Sequence, residues 1–421
     1  MSAFSSEDLL LPISGHHTLK NLKEAYLKQL LRETLALAIK NRSWNLTPPL
    51  YPLLAGALKA SPKSLLEILS SPEISPLVWC YQRKNDFPGL EKKIEEAAEA
   101  LPGSLLLSLA AHKLLPQGGA KFLVSSETEI ISHSLGFSMK LEEGRLGWNF
   151  GAGSVSALKS SGPEGQVNLS SETLLGRRPA AAGISSQLCY VSLKPPRPIK
   201  LALKDINPIA DIEAHPDKAG NALDLGGHSE EDWRASLAQC LDWILELWPE
   251  LFEEMEILLK QIVPVGYSDT RHLSASYREA IGTVYMTLHP HLLTMTEALI
   301  HEFQHNKMNL ASYFDGFLEN AFVPLYKSPV RPDPRPLWGV LLAVHAFLPV
   351  AEFYRKMRAA NHPVSQTPDF ERRLKEIDEK NREGMETLRE HARWTPAGRA
   401  LMEALEIVAR QHQGNLIRPG S

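Results

Sequence analysis

Residues His301-Glu302-Phe303-Gln304-His305 form an HExxH sequence, and no other stretch constrains the surrounding fold as tightly. Two histidines four residues apart share one face when the segment is an α-helix. Both imidazoles can then reach a single metal ion. The glutamate between them points elsewhere, toward a metal-bound water or an outer ligand. The flanks agree with a helix. Leu299, Ile300 and Phe303 supply a packing face, and Thr294-Met295-Thr296-Glu297 has the form of a capping box.

A chain of 421 residues is long enough for two or three cores. Its formal net charge of −4, with cations scattered rather than clustered, argues against nucleic acid or an anionic membrane as the main partner. Residues 1–12 carry no basic segment followed by a long apolar run, so neither a signal peptide nor a membrane-spanning segment is expected. The longest apolar run, Val340 to Val350, is interrupted by His345. Cys80, Cys189 and Cys240 are far apart and odd in number, which suits reduced thiols and a cytoplasmic location.

The texture of the chain predicts an α+β fold, mostly helical. Residues 1–120 read as a helical region, with Leu22, Ala25, Tyr26, Leu30 and Leu31 at helical spacing. Residues 121–204 are richer in Ser, Gly and Thr, with short strands such as Tyr190 to Leu193 and Ile199 to Leu203. Residues 205–421 hold the HExxH segment. There Glu230 to Gln261 reads as one long helix, Ile281 to Leu288 as a strand, and Leu337 to Met357, Glu371 to Arg393 and Ala397 to Gln413 as helices.

Two histidines alone hold a metal weakly, so a third ligand is needed. His345 is the leading candidate, because a polar residue in an apolar helix demands a partner. Glu352 and Glu319 are the carboxylate rivals. The extended motif HExxHxxGxxH fails, since Met308 stands where its glycine would be. Between Val323 and Pro336 five prolines stiffen a loop that carries Arg331 and Arg335. Such a loop could clamp a dicarboxylate by bidentate hydrogen bonds.

Three of these elements together resemble the HExxH-motif peptide-modification family, associated with 2-oxoglutarate-dependent peptide β-hydroxylation. They are His301 to His305, the Tyr326–Arg335 stretch with its RPDPRP core, and the GVLLAVHAFLPVAEFY helix from Gly339 to Tyr354. The Ser-rich stretch from Ser274 to Thr287 is also similar, and the match runs from about Asp205 to Met357. The resemblance implies Fe(II) rather than zinc, held by His301, His305 and a third ligand, for which His345 is expected. It implies 2-oxoglutarate and O2 as cosubstrates, with Arg331 or Arg335 on the distal carboxylate, and a ribosomally made precursor peptide as substrate. Glu302 then serves in the outer shell rather than as a hydrolytic base. Strand Ile281 to Leu288 is expected to pair with the peptide along an open edge, and the N-terminal helices to act as scaffold or leader grip.

Two other readings fit the motif. A zinc metallopeptidase would use Glu302 to deprotonate a zinc-bound water. A non-catalytic peptide-binding protein would keep the helix without its chemistry. His289 and His291, flanking Pro290, are expected in a turn, and His16-His17 in solvent. Tyr285, Tyr313 and Tyr326 are candidates for a pocket lining.

Overall fold

Helices form wherever leucine and alanine recur at spacings of three and four. The computed structural model describes residues 9–414, apart from 42–43, 45, 124–126, 142–146, 152, 160–161, 170–184, 196, 213, 216–217, 324 and 328–332. Helix α1 (His17–Lys40) buries Leu19, Leu22, Tyr26, Leu30 and Leu37 along one stripe. It packs with α2 (Leu50–Ala60), α3 (Pro62–Leu69) and α4 (Ser75–Gln82), while α5 (Glu91–Ala98) packs on α4 and α6 (Leu101–Ala111) on α3. Helix α6 is apolar on all sides and buried from Leu101 to Ala110, which makes it the centre of this region.

The middle of the chain is strand-rich, as expected. Strands β1 (Leu46–Thr47), β2 (Ala120–Phe122), β5 (Gly147–Gly151), β6 (Ser154–Lys159) and β7 (Gly162–Asn168) form one antiparallel sheet in that order. Strands β3 (Thr128–Ser132), β4 (Phe137–Leu141) and β8 (Ser185–Leu188) form a second. Strands β9 (Tyr190–Ser192) and β10 (Lys200–Ala202) belong to a third sheet, beside the HExxH helix. A short pair, β11 (Ala214–His215) and β12 (Lys218–Ala219), follows.

That third sheet has the order β14-β15-β13-β10-β9, with β13 (Gln261–Tyr267), β14 (Ser274–Ala275) and β15 (Thr283–Leu288). Strand β15 is buried along its whole length, parallel to β13 on one side and antiparallel to β14 on the other. The strand expected as an open rim is therefore interior, and the two-residue β14 forms the edge. The single long helix expected from Glu230 to Gln261 is broken. Helix α7 (Glu230–Leu247), capped reciprocally by Ser229 and Asp232, ends at Trp248, and α8 (Pro249–Leu258) begins with a proline that has no N–H to continue the ladder. Gln261 already lies in β13.

Helix α9 (Leu292–Ala311) carries the HExxH motif and packs on β15 and β14. Its N-cap is His291, so the expected capping box at Thr294 lies inside the helix. Residues Leu325–Tyr326 (β16) and Arg335–Pro336 (β17) pair as a short hairpin, where the sequence suggested loop alone. Helices α10 (Leu337–Ala359), α11 (Pro368–His391) and α12 (Pro396–Gly414) complete the chain. By length and composition α10 could cross a membrane, yet 78% of its apolar window is buried inside the protein. The fold is thus α+β and mostly helical. One hydrophobic cluster runs from Leu9 to Ala409, and the sheet beside α9 takes strands from both sides of residue 204.

A buried ion pair pins the rear of α9. Lys307 Nζ donates to Glu254 Oε2 at 2.7 Å, and both side chains are 0% exposed. His16, expected in solvent, is buried against the same acid, with Nδ1 3.6 Å from Glu254 and Nε2 2.9 Å from Glu253. Breaking such a pair from one side strands a charge. Glu254→Leu is expected to cost about 3–5 kcal/mol, and the double variant with Lys307→Met to recover much of it. Urea unfolding of the single and double variants checks this.

Candidate metal centre

The motif helix is fixed to its sheet by side chains, not by packing alone. Asn306, one residue past the motif, accepts a hydrogen bond from Gly282 N at 2.7 Å and donates to Thr283 O at 3.0 Å. Gly282 has φ +90, and a Cβ there would come within 2.7 Å of Leu258 O, so only glycine fits this entry into β15. These contacts set the rotation of α9, and with it the direction of His301 and His305.

The two imidazole rings lie 4.3 Å apart between centroids. Among the described residues, His301, Glu302 and His305 alone gather at least three potential ligand atoms within 4.8 Å of one another. His301 Nδ1 and His305 Nε2 are buried and have no hydrogen-bond partner. Nitrogens in that state fit a metal ion, which needs about 2.0–2.2 Å to each ligand. Burial, then the neighbouring His305, pushes His301 down to about 3 from its ordinary 6.5. It is a neutral imidazole at physiological pH, the form that ligates.

Glu302 does not point into open space. Its Oε1 accepts from Ser274 Oγ at 2.8 Å and its Oε2 from Ser276 Oγ at 2.9 Å. Oε2 also lies 3.4 Å from His305 Nδ1. Burial alone would raise this carboxyl, but the histidines and the serine hydroxyl bring it down to about 2. An ionised carboxylate beside Nδ1 fixes the His305 ring and leaves Nε2 for a ligand.

His345 does not join this group. Its Nε2 lies 3.0 Å from Leu9 O, and it is 0% exposed. Phe347 shows why. The Phe347 ring lies against His301, tilted at 59° with centroids 4.6 Å apart, and a side chain two residues earlier in a helix is turned by about 200°. His345 therefore faces the core, and the expected third-ligand role gives way to a hydrogen-bonded core histidine. Glu352 pairs with His412 at 3.1 Å, and Glu319 is exposed.

Arg331 lies outside the described residues. Arg335 pairs with Asp333 at 3.4 Å and packs over Gly339 at the start of α10. About 15 Å of helix separates that end from Phe347 and His301. Among the described contacts, none links Arg335 to His301 or His305.

The cations beside His301 come from α11, where sequence reading found none. Lys380 Nζ sits 5.6 Å from the centroid of Phe347, the ring that lies against His301. Its charge reaches His301, and it has no ion-pair partner among the described residues. Arg373, one turn pair earlier on the same face, is already bound to Glu297, which also accepts from Tyr354 Oη at 2.9 Å. His272 completes the surroundings. Its buried Nε2 has no partner, and burial with the charge of His289 lowers it to about 4. His289 and His291 form the expected turn, with His291 N donating to His289 Nδ1 at 3.0 Å. Tyr285, Tyr313 and Tyr326 are engaged elsewhere, with Asp205, Arg278 and His391.

No family model matches the chain, and no curated protein is similar to it.

His345 gives a clean test of its core role. Burial, then Lys307, lowers it to about 3. A lowered folded value means that stability is full above the ordinary 6.5 and is lost as pH falls toward 3. His345→Leu is expected to flatten the stability profile across that window by about 1.4 kcal/mol per pH unit. Urea unfolding at pH 7, 6 and 5 measures the slope.

Proposed function

We propose that this chain is a non-haem iron enzyme that uses 2-oxoglutarate and O2 to hydroxylate a carbon, at Cβ of a residue, in a ribosomally made precursor peptide in the cytoplasm. The observation that carries the reading is the placement of Glu302. A peptidase needs this carboxylate free to take a proton from a metal-bound water. Here two serine hydroxyls hold it, and it leans on His305 Nδ1. That is the posture of a group that orients a ligand.

His301 and His305 would hold the iron through their ring nitrogens. When bound, iron with 2-oxoglutarate and O2 supplies oxidation of an unactivated C–H bond, the oxoacid leaving as succinate and CO2. The chain's own residues do the rest. Glu302 fixes the His305 ring. Phe347 packs its ring against His301 and would position it. Lys380, a cation without a partner near that ring, is suited to the distal carboxylate of the oxoacid in place of Arg335. The edge strand β14, next to the serines that grip Glu302, offers main-chain groups to an extended peptide.

The test is mass spectrometry of a precursor peptide incubated with the protein, Fe(II), ascorbate and 2-oxoglutarate. A gain of one oxygen atom, dependent on the oxoacid and lost in His301→Ala, is expected. Peptide cleavage supported by zinc without O2 would transfer the case to a peptidase.

A second expectation concerns Lys380. Loss of a charge-assisted contact to a carboxylate costs about 1.5–3 kcal/mol, or roughly ten- to a hundredfold in affinity. Lys380→Met is expected to raise the 2-oxoglutarate concentration needed for half-saturation by that factor, with Lys380→Arg closer to the parent. Calorimetric titration of the oxoacid into the iron-loaded, oxygen-free protein reads it.

A further inference from the structure

A cavity of about 640 Å³ lies between α10, α11 and α12, on the face of α11 next to the one that looks at His301. Leu374, Asp378, Asn381 and Met385 line it from α11, while Arg373 and Lys380 sit roughly 100° round the same helix. Leu348 and Ala409 close its floor from α10 and α12. The cavity is thus separate from the metal centre and borders it.

Its polar inventory is unusual. Asn381 is 5% exposed, and neither its Nδ2 nor its Oδ1 has a hydrogen-bond partner among the described residues. His412, also 5% exposed, spends Nε2 on Glu352 and leaves Nδ1 unpaired. A buried amide with both ends unmatched costs stability unless something matches it. Its complement is a group with a donor and an acceptor side by side. A carboxylate would satisfy Nδ2 and set lone pairs against Oδ1. A cation would do the reverse, and a hydrocarbon would leave both unmatched. A peptide amide satisfies both.

The rest of the lining narrows the ligand further. The apolar walls suit an aliphatic side chain. Around the opening Arg355 pairs with Asp378, Arg358 with Glu371, Arg372 with Asp369 and Glu376, and Arg382 with Glu386, while Lys375 and Glu379 have no ion-pair partner among the described residues, so the rim sets no preference of sign.

We propose that this cavity binds a peptide segment, taking an aliphatic side chain on its floor and a backbone amide on Asn381. The segment docks beside the metal centre rather than in it. The proposal rests on the peptide-substrate reading for the source of the peptide alone; the binding needs no metal.

The experiment uses the full chain and a fluorescein-labelled peptide in which leucines alternate with glutamates, followed by fluorescence anisotropy. A counterpart with serine in place of leucine controls for charge. The parent protein is expected to bind the leucine peptide and not the serine peptide. Asn381→Leu is expected to weaken binding about tenfold while raising the thermal midpoint, because an unmatched buried amide is removed. Ala409→Trp fills the floor and is expected to abolish binding, while His301→Ala leaves it unchanged. The proposal is overturned if the serine peptide binds equally, if Asn381→Leu keeps its affinity, or if that variant loses stability, as a structural asparagine would. It is also overturned if His301→Ala weakens binding, or if light scattering shows a dimer that Ala409→Trp dissolves. Hydroxylation could fail with all of these results intact, so the two readings stand or fall separately.

Discussion

The contact on which the metal centre depends is the grip of Ser274 and Ser276 on the Glu302 carboxylate. Helix α9 buries Glu302, Gln304, Asn306 and Lys307, an expensive set for one helix. Three of the four are matched from different elements: Glu302 by the serines of and beside the edge strand, Asn306 by the start of β15, and Lys307 by α8. The helix consequently cannot slide or roll without breaking several buried polar contacts at once. Its two histidines inherit that fixity, and preorganised ligands are what a weakly bound divalent ion requires.

The electrostatics follow from this placement. Burial keeps His301 neutral, while His305 and, less strongly, the Ser274 hydroxyl lower the Glu302 carboxyl against the effect of burial. One carboxylate and two imidazoles therefore meet at a point where a cation would be welcome. Next to Phe347, Lys380 supplies the opposite sign. A site with a place for a metal at one end and a lone cation at the other suits a ligand with two acidic ends.

Much of the frame was legible in the sequence. The helical spacing of α1, α9, α10, α11 and α12 and the strand character of β15 are local properties, and the structure follows them. The break at Pro249 was visible as a proline but was overridden by the strong periodicity on both sides of it. The site was legible in its core and not in its surroundings. HExxH is a local pattern, whereas Lys380 and Asn381 lie in a charge-rich amphipathic helix whose sequence looks like a solvated face. Their roles depend on which neighbours α11 packs against, and spacing does not encode that. His345 misled for a related reason. A histidine in an apolar helix needs a partner, and a main-chain carbonyl from Leu9, more than three hundred residues away, satisfies that need as well as a metal would.

The central claim is that two imidazoles, one of them steered by Glu302, hold an iron ion whose other positions stay open. X-ray absorption of the iron-loaded protein, recorded without oxygen before and after 2-oxoglutarate, tests it most directly. The account predicts about two imidazole scatterers in both spectra, and oxygen scatterers that change when the oxoacid is added. Failure to take up iron, or a shell filled by four protein ligands and indifferent to the oxoacid, would contradict it.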